Sequence, residues 1–87
     1  MTIDEQYIYE RVTDIFRKAT SDDNIKHDTD FINEYGIDSL DCIELNMELE
    51  KVFDISLEDV MLYNLRTIDN IVKAIVERIE KKGEVVV

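Results

Sequence analysis

One serine stands where the sequence predicts that the chain turns into a helix, and its hydroxyl is the first candidate for chemistry. Ser39 lies in the segment EYGIDSLDCIELNMELE, residues 34–50, three positions after Gly36. Asp38 and Ser39 are both good helix caps. Asp41 follows near the positive end of the helix, where a carboxylate is stabilised. From residue type alone, a cap or first-turn residue is the commoner role for Ser39.

Other groups that could perform catalysis lack the partners they need. His27 is the only histidine and Cys42 is the only cysteine, so no catalytic triad or zinc cluster can be assembled around either. Cys42 is better explained as a small buried apolar residue. The sequence contains no Gly-rich phosphate loop. We therefore expect no enzyme activity from this chain alone, and no metal site.

The acidic segment DDNIKHDTDFIN invites comparison with a calcium-binding loop. Such a loop requires oxygen ligands at fixed positions, a glycine at the sixth and a glutamate at the twelfth. Counted from Asp22, the fifth position is Lys26, the sixth is His27 and the twelfth is Asn33. The pattern fails at three key places, so a dedicated calcium site is a weak hypothesis.

The predicted helix over residues 38–53 carries more apolar surface than one core contact requires. At 100° per residue, one sector holds Cys42, Leu45, Leu49, Val52 and Phe53. A second apolar sector holds Leu40, Ile43 and Met47. The gap between the two sectors holds Asp41, Glu44 and Glu48. Either the helix is buried on two sides, or the second sector is an exposed docking surface rimmed by acids.

The remaining elements follow from apolar periodicity and predict an all-α, four-helix bundle. Three longer helices and one short third helix are expected from Thr2 to about Ala19, from Asp38 or Ser39 to about Phe53, over residues 56–64 and from Thr67 to about Lys81. Thr2 with Glu5, and Ser56 with Asp59, have the spacing of capping boxes. A long loop joins helices 1 and 2, with Ile25, Phe31 and Ile32 as its expected anchors in the core.

Length and composition limit the classes to which this protein can belong. The 87 residues predict a single domain over residues 1–87, with a core of about 3–80 and a flexible tail at 82–87. The net charge of −11 disfavours nucleic acid and anionic membranes and favours basic protein partners. The sequence has no signal peptide and no apolar run of membrane-spanning length, so we expect a cytoplasmic location, no membrane insertion and a monomer.

Taken together, the residues around Ser39 resemble the acyl carrier proteins. The shared pattern is Gly36-Ile37-Asp38-Ser39-Leu40-Asp41, continued by Ile43-Glu44-Leu45 and by Met47, Leu49 and Glu50. The resemblance extends over roughly residues 3–80. It implies that Ser39, flanked by Asp38, carries 4′-phosphopantetheine. It also implies that the chain is a carrier and not an enzyme, bearing acyl groups as thioesters on that arm.

The resemblance further implies a set of partner proteins. A phosphopantetheinyl transferase would load the serine, and fatty-acid, polyketide or related biosynthetic enzymes with basic docking patches would bind Leu40, Asp41, Ile43, Glu44, Met47 and Glu48. Several positions depart from the common pattern of fatty-acid carriers: Tyr35, Asn46, Lys51, Met61 and Tyr63. These departures concern the choice of partners and suggest a specialised pathway.

Two alternatives stay open at this point. A peptidyl or D-alanyl carrier shares the serine and the bundle, and differs in bearing amino acids. A non-carrier acidic adaptor would use the helix over residues 38–53 only to bind proteins, and would not need Ser39.

Overall fold

The structure, a computed structural model, describes residues 2–87, in which five helices and one pair of short strands form a mostly helical domain. The elements are β1 (Thr2–Ile3), α1 (Glu5–Thr20), α2 (Phe31–Tyr35), α3 (Ser39–Phe53), α4 (Leu62–Leu65), α5 (Ile68–Lys81) and β2 (Val85–Val86). The helical class is thus confirmed, whereas the described residues contain one helix more than the four that we predicted. None of the helices in this range is long and apolar enough to span a membrane.

Helix α1 starts later than its periodicity indicated. Asp4 is its N-cap, and its side chain accepts a hydrogen bond from the Gln6 backbone N–H at 2.9 Å. The predicted capping box of Thr2 and Glu5 is wrong, because Thr2 lies in β1 and has no helical conformation. Three apolar residues one helical turn apart on α1, Ile8, Val12 and Phe16, are completely buried.

The two short strands join the start of the described chain to its end. β1 and β2 pair in parallel, with Thr2 opposite Val85 and Ile3 opposite Val86. The Val87 N–H donates to the Ile3 carbonyl at 2.9 Å. Within the segment 82–87, expected as a flexible tail, residues 85–87 are therefore paired with β1, and residues 82–84 donate hydrogen bonds to the last turns of α5.

Helix α2 divides the long loop between the first two long helices. Asp30 caps it by accepting hydrogen bonds from the N–H groups of Ile32 and Asn33, at 3.0 and 3.2 Å. Gly36 ends it in the left-handed conformation, with φ of 65°, which glycine adopts without steric cost. A five-residue helix is too short to show the apolar period that we used.

The loop is anchored by the residues that we expected. Phe31 and Ile25 are buried, and Ile32 is half-buried. The rings of Phe31 and Phe16 lie 4.7 Å apart between centroids. The Phe31 N–H also donates to the Arg66 carbonyl at 2.9 Å, so this residue connects α2 to the end of α4.

We expect Phe31→Ala to lower the free energy of unfolding by about 3–5 kcal/mol, because it removes a buried ring and leaves a cavity. Chemical denaturation measured by circular dichroism checks the value. Ile32→Ala, at a half-buried neighbour in the same helix, is the matched control and should cost clearly less. Equal losses for the two variants would show that Phe31 does not anchor the loop.

Helices α3 and α5 have the bounds that the sequence predicted, and both are capped. The Thr67 side chain accepts a hydrogen bond from the Asn70 N–H at 3.1 Å at the start of α5. Five residues of α5 are completely or almost completely buried: Ile68, Ile71, Val72, Ile75 and Ile79. These residues, with α1, Phe31 and the inner face of α3, form the core.

The short helix before α5 was predicted in the wrong place. It is α4, Leu62–Leu65, and its N-cap Met61 makes no side-chain hydrogen bond. Upstream, the Leu57 N–H donates to the Glu50 carboxylate at 2.8 Å, and Asp59 forms an ion pair with Arg78. Residues 56–60 are not helical, so the predicted capping box of Ser56 and Asp59 does not form.

Candidate functional site

Ser39 is the first residue of α3 and is exposed to solvent. The helix cap is formed by the nearby residues Asp38 and Asp41. The Asp41 N–H donates to Asp38 Oδ1 at 2.9 Å, and the Asp38 N–H donates to Asp41 Oδ2 at 3.3 Å. Since this reciprocal capping box does not use the serine hydroxyl, Ser39 is not needed as the helix cap.

Anchors on both sides fix the position of Ser39. Gly36 ends α2 with a left-handed turn, and Ile37 and Cys42 are buried in the core. The chain between the two buried residues must therefore cross the surface, and Ser39 lies in this crossing. The serine is thus presented at a defined place by the capped start of α3.

The outer face of α3 is apolar and exposed. Leu40 is 63% exposed, Ile43 is 58% exposed and Met47 is 63% exposed. We call these three residues the apolar patch. The alternative in which α3 is buried on two sides is therefore wrong. The opposite face of the helix supplies the core through Cys42, Leu45 and Leu49, while Val52 and Phe53 are half-buried.

Three carboxylates lie between the apolar patch and the buried face. Asp41, Glu44 and Glu48, here called the acidic stripe, are all exposed. They border a cleft of about 510 Å³ between α1 and α3, to which α1 contributes Lys18 and α2 contributes Tyr35. An exposed apolar surface beside a row of like charges has the composition of a docking surface for a basic partner.

A groove starts at Ser39 and runs along α3 towards α4. Its volume is about 280 Å³. One wall consists of Ser39, Cys42, Ile43 and Asn46, and the other consists of Glu58, Val60, Met61, Leu62 and Tyr63. We did not predict this groove, although Asn46, Met61 and Tyr63 had departed from the expected residue types.

Cys42 is a free thiol in the wall of the groove. Burial raises the pKa of this thiol, and the carboxylates of Asp41 and Asp38 raise it further. A thiol with a raised pKa is a poor nucleophile, because the thiolate is the reactive form. The structure thus agrees with a packing role for Cys42.

The acidic loop uses two of its carboxylates for contacts within the protein. Asp22 accepts a hydrogen bond from the Tyr35 hydroxyl at 2.5 Å, and Asp30 accepts one from Arg66 Nε at 2.7 Å. Within residues 2–87, no three His, Cys, Asp or Glu side chains are grouped so that they could hold a metal ion.

We expect Tyr35→Phe to destabilise the protein at pH 7 in a way that depends on pH. The hydrogen bond to Asp22, followed by burial and the negative charges of Asp22 and Glu34, raises the pKa of Tyr35 from 10.0 to about 12. The same hydrogen bond lowers the pKa of Asp22. The raised tyrosine pKa contributes stability that is lost between pH 10 and about 12. The lowered aspartate pKa contributes stability that is lost as the pH falls below about 4.

Urea unfolding of both proteins at several pH values checks this expectation. The difference in stability between wild type and Tyr35→Phe should be full at pH 7 and smaller at both extremes. A difference that stays constant with pH would show that the Tyr35 hydroxyl contributes nothing through Asp22.

Comparison with known proteins places this site in a family. The family described as "Phosphopantetheine attachment site" matches residues 7–75, which include Ser39, the apolar patch and the acidic stripe. An acyl carrier protein of Aster yellows witches'-broom phytoplasma (strain AYWB) is 42% identical over 67 residues, covering 75% of this chain and 88% of the relative. The chain belongs to the acyl carrier protein family. Its members bear phosphopantetheine, and are carriers and not catalysts.

Two further relatives in this family support the assignment. The acyl carrier protein of Onion yellows phytoplasma (strain OY-M) is 39% identical over 67 residues, covering 75% of this chain and 88% of the relative. That of Phytoplasma australiense is 48% identical over 44 residues, covering 51% of this chain and 58% of the relative.

The residues at the start of α3 fit a covalently attached phosphopantetheine. The Ser39 side chain is exposed and takes no part in the capping box. The first N–H groups of a helix have no partner within the helix, and a phosphate beside them is stabilised. When bound, the group supplies a terminal thiol that forms thioesters.

Proposed function

We propose that this chain carries acyl groups as thioesters on phosphopantetheine attached to Ser39, and presents them to biosynthetic enzymes. The observation that carries the proposal is the exposed Ser39 at the first position of α3, inside the matched family region. Asp38 flanks the attachment point and caps the helix that holds it.

Loading is a group transfer from coenzyme A. The Ser39 hydroxyl oxygen attacks the phosphorus that bears the pantetheine. The pyrophosphate bond of coenzyme A breaks, and adenosine 3′,5′-bisphosphate leaves. A base of the transferase takes the hydroxyl proton, and the product is a phosphodiester on Ser39. The carrier contributes the position of its hydroxyl and the surface that the transferase binds.

The apolar patch and the acidic stripe form the proposed partner surface. Leu40, Ile43 and Met47 provide apolar area for affinity, since each is more than half exposed. Asp41, Glu44 and Glu48 attract Lys and Arg side chains and fix the register. The net charge of −11 adds long-range attraction to basic patches and repels nucleic acid. We further propose a monomer that acts in the cytoplasm.

Acyl groups are the proposed cargo, and the pathway is fatty-acid, polyketide or related synthesis. The peptidyl or D-alanyl carrier remains the nearest alternative, and loading with acyl versus aminoacyl donors distinguishes it. The acidic adaptor is the alternative from another class. An adaptor would bind its partners through α3 without any covalent group on Ser39.

The experiment that tests the proposal is intact mass spectrometry. Wild-type protein is incubated with coenzyme A and a transferase of broad specificity, and the modified peptide is then sequenced. We expect a mass gain of one phosphopantetheine, located on Ser39. Absence of any gain, with folded protein and with a transferase that is active on another carrier, would overturn the proposal in favour of the adaptor.

A further inference from the structure

One of the two polar atoms in the Asn46 side chain has no hydrogen-bond partner among residues 2–87. Its Nδ2 donates to the Leu57 carbonyl at 3.1 Å. Its Oδ1 is buried and has no hydrogen-bond partner among residues 2–87. The bond to Leu57 fixes the orientation of the amide, because a carbonyl oxygen can only accept. The free atom is therefore an acceptor and requires a donor from elsewhere.

A buried polar atom without a partner is unfavourable and uncommon in native proteins. Asn46 also departs from the apolar residue that is usual in the family. A ligand that supplies an O–H or N–H group would remove the cost of the unpaired oxygen.

The location of Asn46 indicates that such a ligand would be attached to Ser39. Asn46 lies seven residues after Ser39, which corresponds to about 10 Å along the axis and nearly the same face of the helix. Both residues line the same wall of the groove. A group tethered to Ser39 through the phosphopantetheine arm can reach Asn46, as can the hydroxyl and amide N–H groups of the arm itself.

The other residues that line the groove limit which chemical groups it can hold. Ile43, Val60, Met61 and Leu62 make most of the lining apolar, and no Lys, Arg or His contributes to it. The one charged residue is Glu58, which disfavours a carboxylate in the carried group. A short, uncharged or cationic group with a hydrogen-bond donor suits this lining.

The wall opposite α3 includes a very short helix. Helix α4 has only four residues, and its N-cap Met61 makes no side-chain hydrogen bond. A shift of this four-residue helix would admit a carried group and bring Oδ1 within reach.

We propose that the carried group has an O–H or N–H donor close to its thioester, and that this group enters the groove and donates to Asn46 Oδ1. The inference rests on the proposed carrier function. Hydroxyacyl and aminoacyl groups share the required donor, and both are outcomes that an experiment can separate.

The test loads the carrier with butyryl, 3-hydroxybutyryl and β-alanyl groups from their coenzyme A thioesters. Hydroxylamine then cleaves each thioester, and each rate is divided by that of the same group on free pantetheine. The wild type should protect 3-hydroxybutyryl, β-alanyl or both about five- to ten-fold better than butyryl, as expected for one hydrogen bond. The group with the greater protection identifies the class of cargo.

Two variants separate the role of Asn46 from general effects. Asn46→Val should lose this preference or reverse it in favour of butyryl. Asn64→Val changes an exposed asparagine of α4 and should keep the wild-type preference. Equal protection of all three groups by the wild type, or an unchanged preference in Asn46→Val, would overturn the inference.

A second measurement needs no variant. The Asn46 side-chain NH₂ signal in an NMR spectrum should shift when the donor-bearing group is loaded, and should stay in place with phosphopantetheine alone. A full shift with the arm alone would assign the donor to the arm and overturn the cargo proposal. If no group can be loaded at all, the proposed carrier function fails, whereas loading without selective protection overturns only the role of Asn46.

Discussion

Ser39→Ala should gain no mass with coenzyme A and a transferase under conditions that convert the wild type completely. Alanine has no oxygen to attack the phosphorus, so the expected loss is total. The variant should stay folded, because the cap hydrogen bonds join Asp38 and Asp41 and alanine is the best helix former. Circular dichroism and thermal unfolding measured beside the mass spectra check that it does.

Ser56→Ala is the matched control for this experiment. Ser56 is also exposed, but it lies between α3 and α4 and caps no helix. This variant should be loaded at the wild-type rate. A mass gain on folded Ser39→Ala would show that another residue is the attachment point.

The second large effect concerns the acidic stripe. Replacing Asp41 by Asn, and Glu44 and Glu48 by Gln, should lower kcat/KM of the transferase by about 10- to 1,000-fold, because steering and pairing with basic residues are lost together. The side-chain oxygen of Asn at position 41 can still accept the bond that closes the capping box. The effect should shrink as salt is added.

A second triple variant separates local charge from net charge. Changing Glu10, Glu77 and Glu80 to Gln removes the same three charges, so both variants move the net charge from −11 to −8. These residues are exposed on α1 and α5, away from the stripe. Similar losses in the two variants would mean that only overall charge attracts the transferase and that the stripe is no docking surface.

Elements with a long apolar period were predictable from the sequence. α5 repeats Ile, Val and Ile at helical spacing over its whole length, and Thr67 caps its start. α3 begins where Asp38 offers a cap and Asp41 completes the box. In both helices local propensity and tertiary burial favour the same structure, so such elements can be predicted from the sequence alone.

The errors lie where the deciding contact is distant in sequence. Thr2 has the spacing of a capping box, but its strand is formed by pairing with Val85. Asp59 has the spacing of another, but it pairs with Arg78. For α2, Asp30 before the helix and Gly36 after it were usable signals, because they are a typical N-cap and C-terminal residue.

The candidate site was predictable in part, because its exposed apolar residues lie on one helix with a regular period. A helical wheel separates Leu40, Ile43 and Met47 from the core face, and the structure shows all three exposed. Their roles in partner binding stay a prediction. The groove could not be foreseen, since one wall comes from residues 58–63, and their approach to α3 depends on packing. For the same reason, the sequence could not show that Asn46 Oδ1 lacks a hydrogen-bond partner among residues 2–87.

The parallel pairing of β1 with β2 brings the two ends of the described chain together. Thr2 pairs with Val85, so Val87 lies about 7 Å further along the strand and about 5 Å across from Thr2. A polypeptide that enters at Thr2 thus leaves close to where it came in. The domain could be inserted into a longer protein as a side loop without separating the flanking segments. Ser39 would then be presented by a domain that both flanking segments hold in one place.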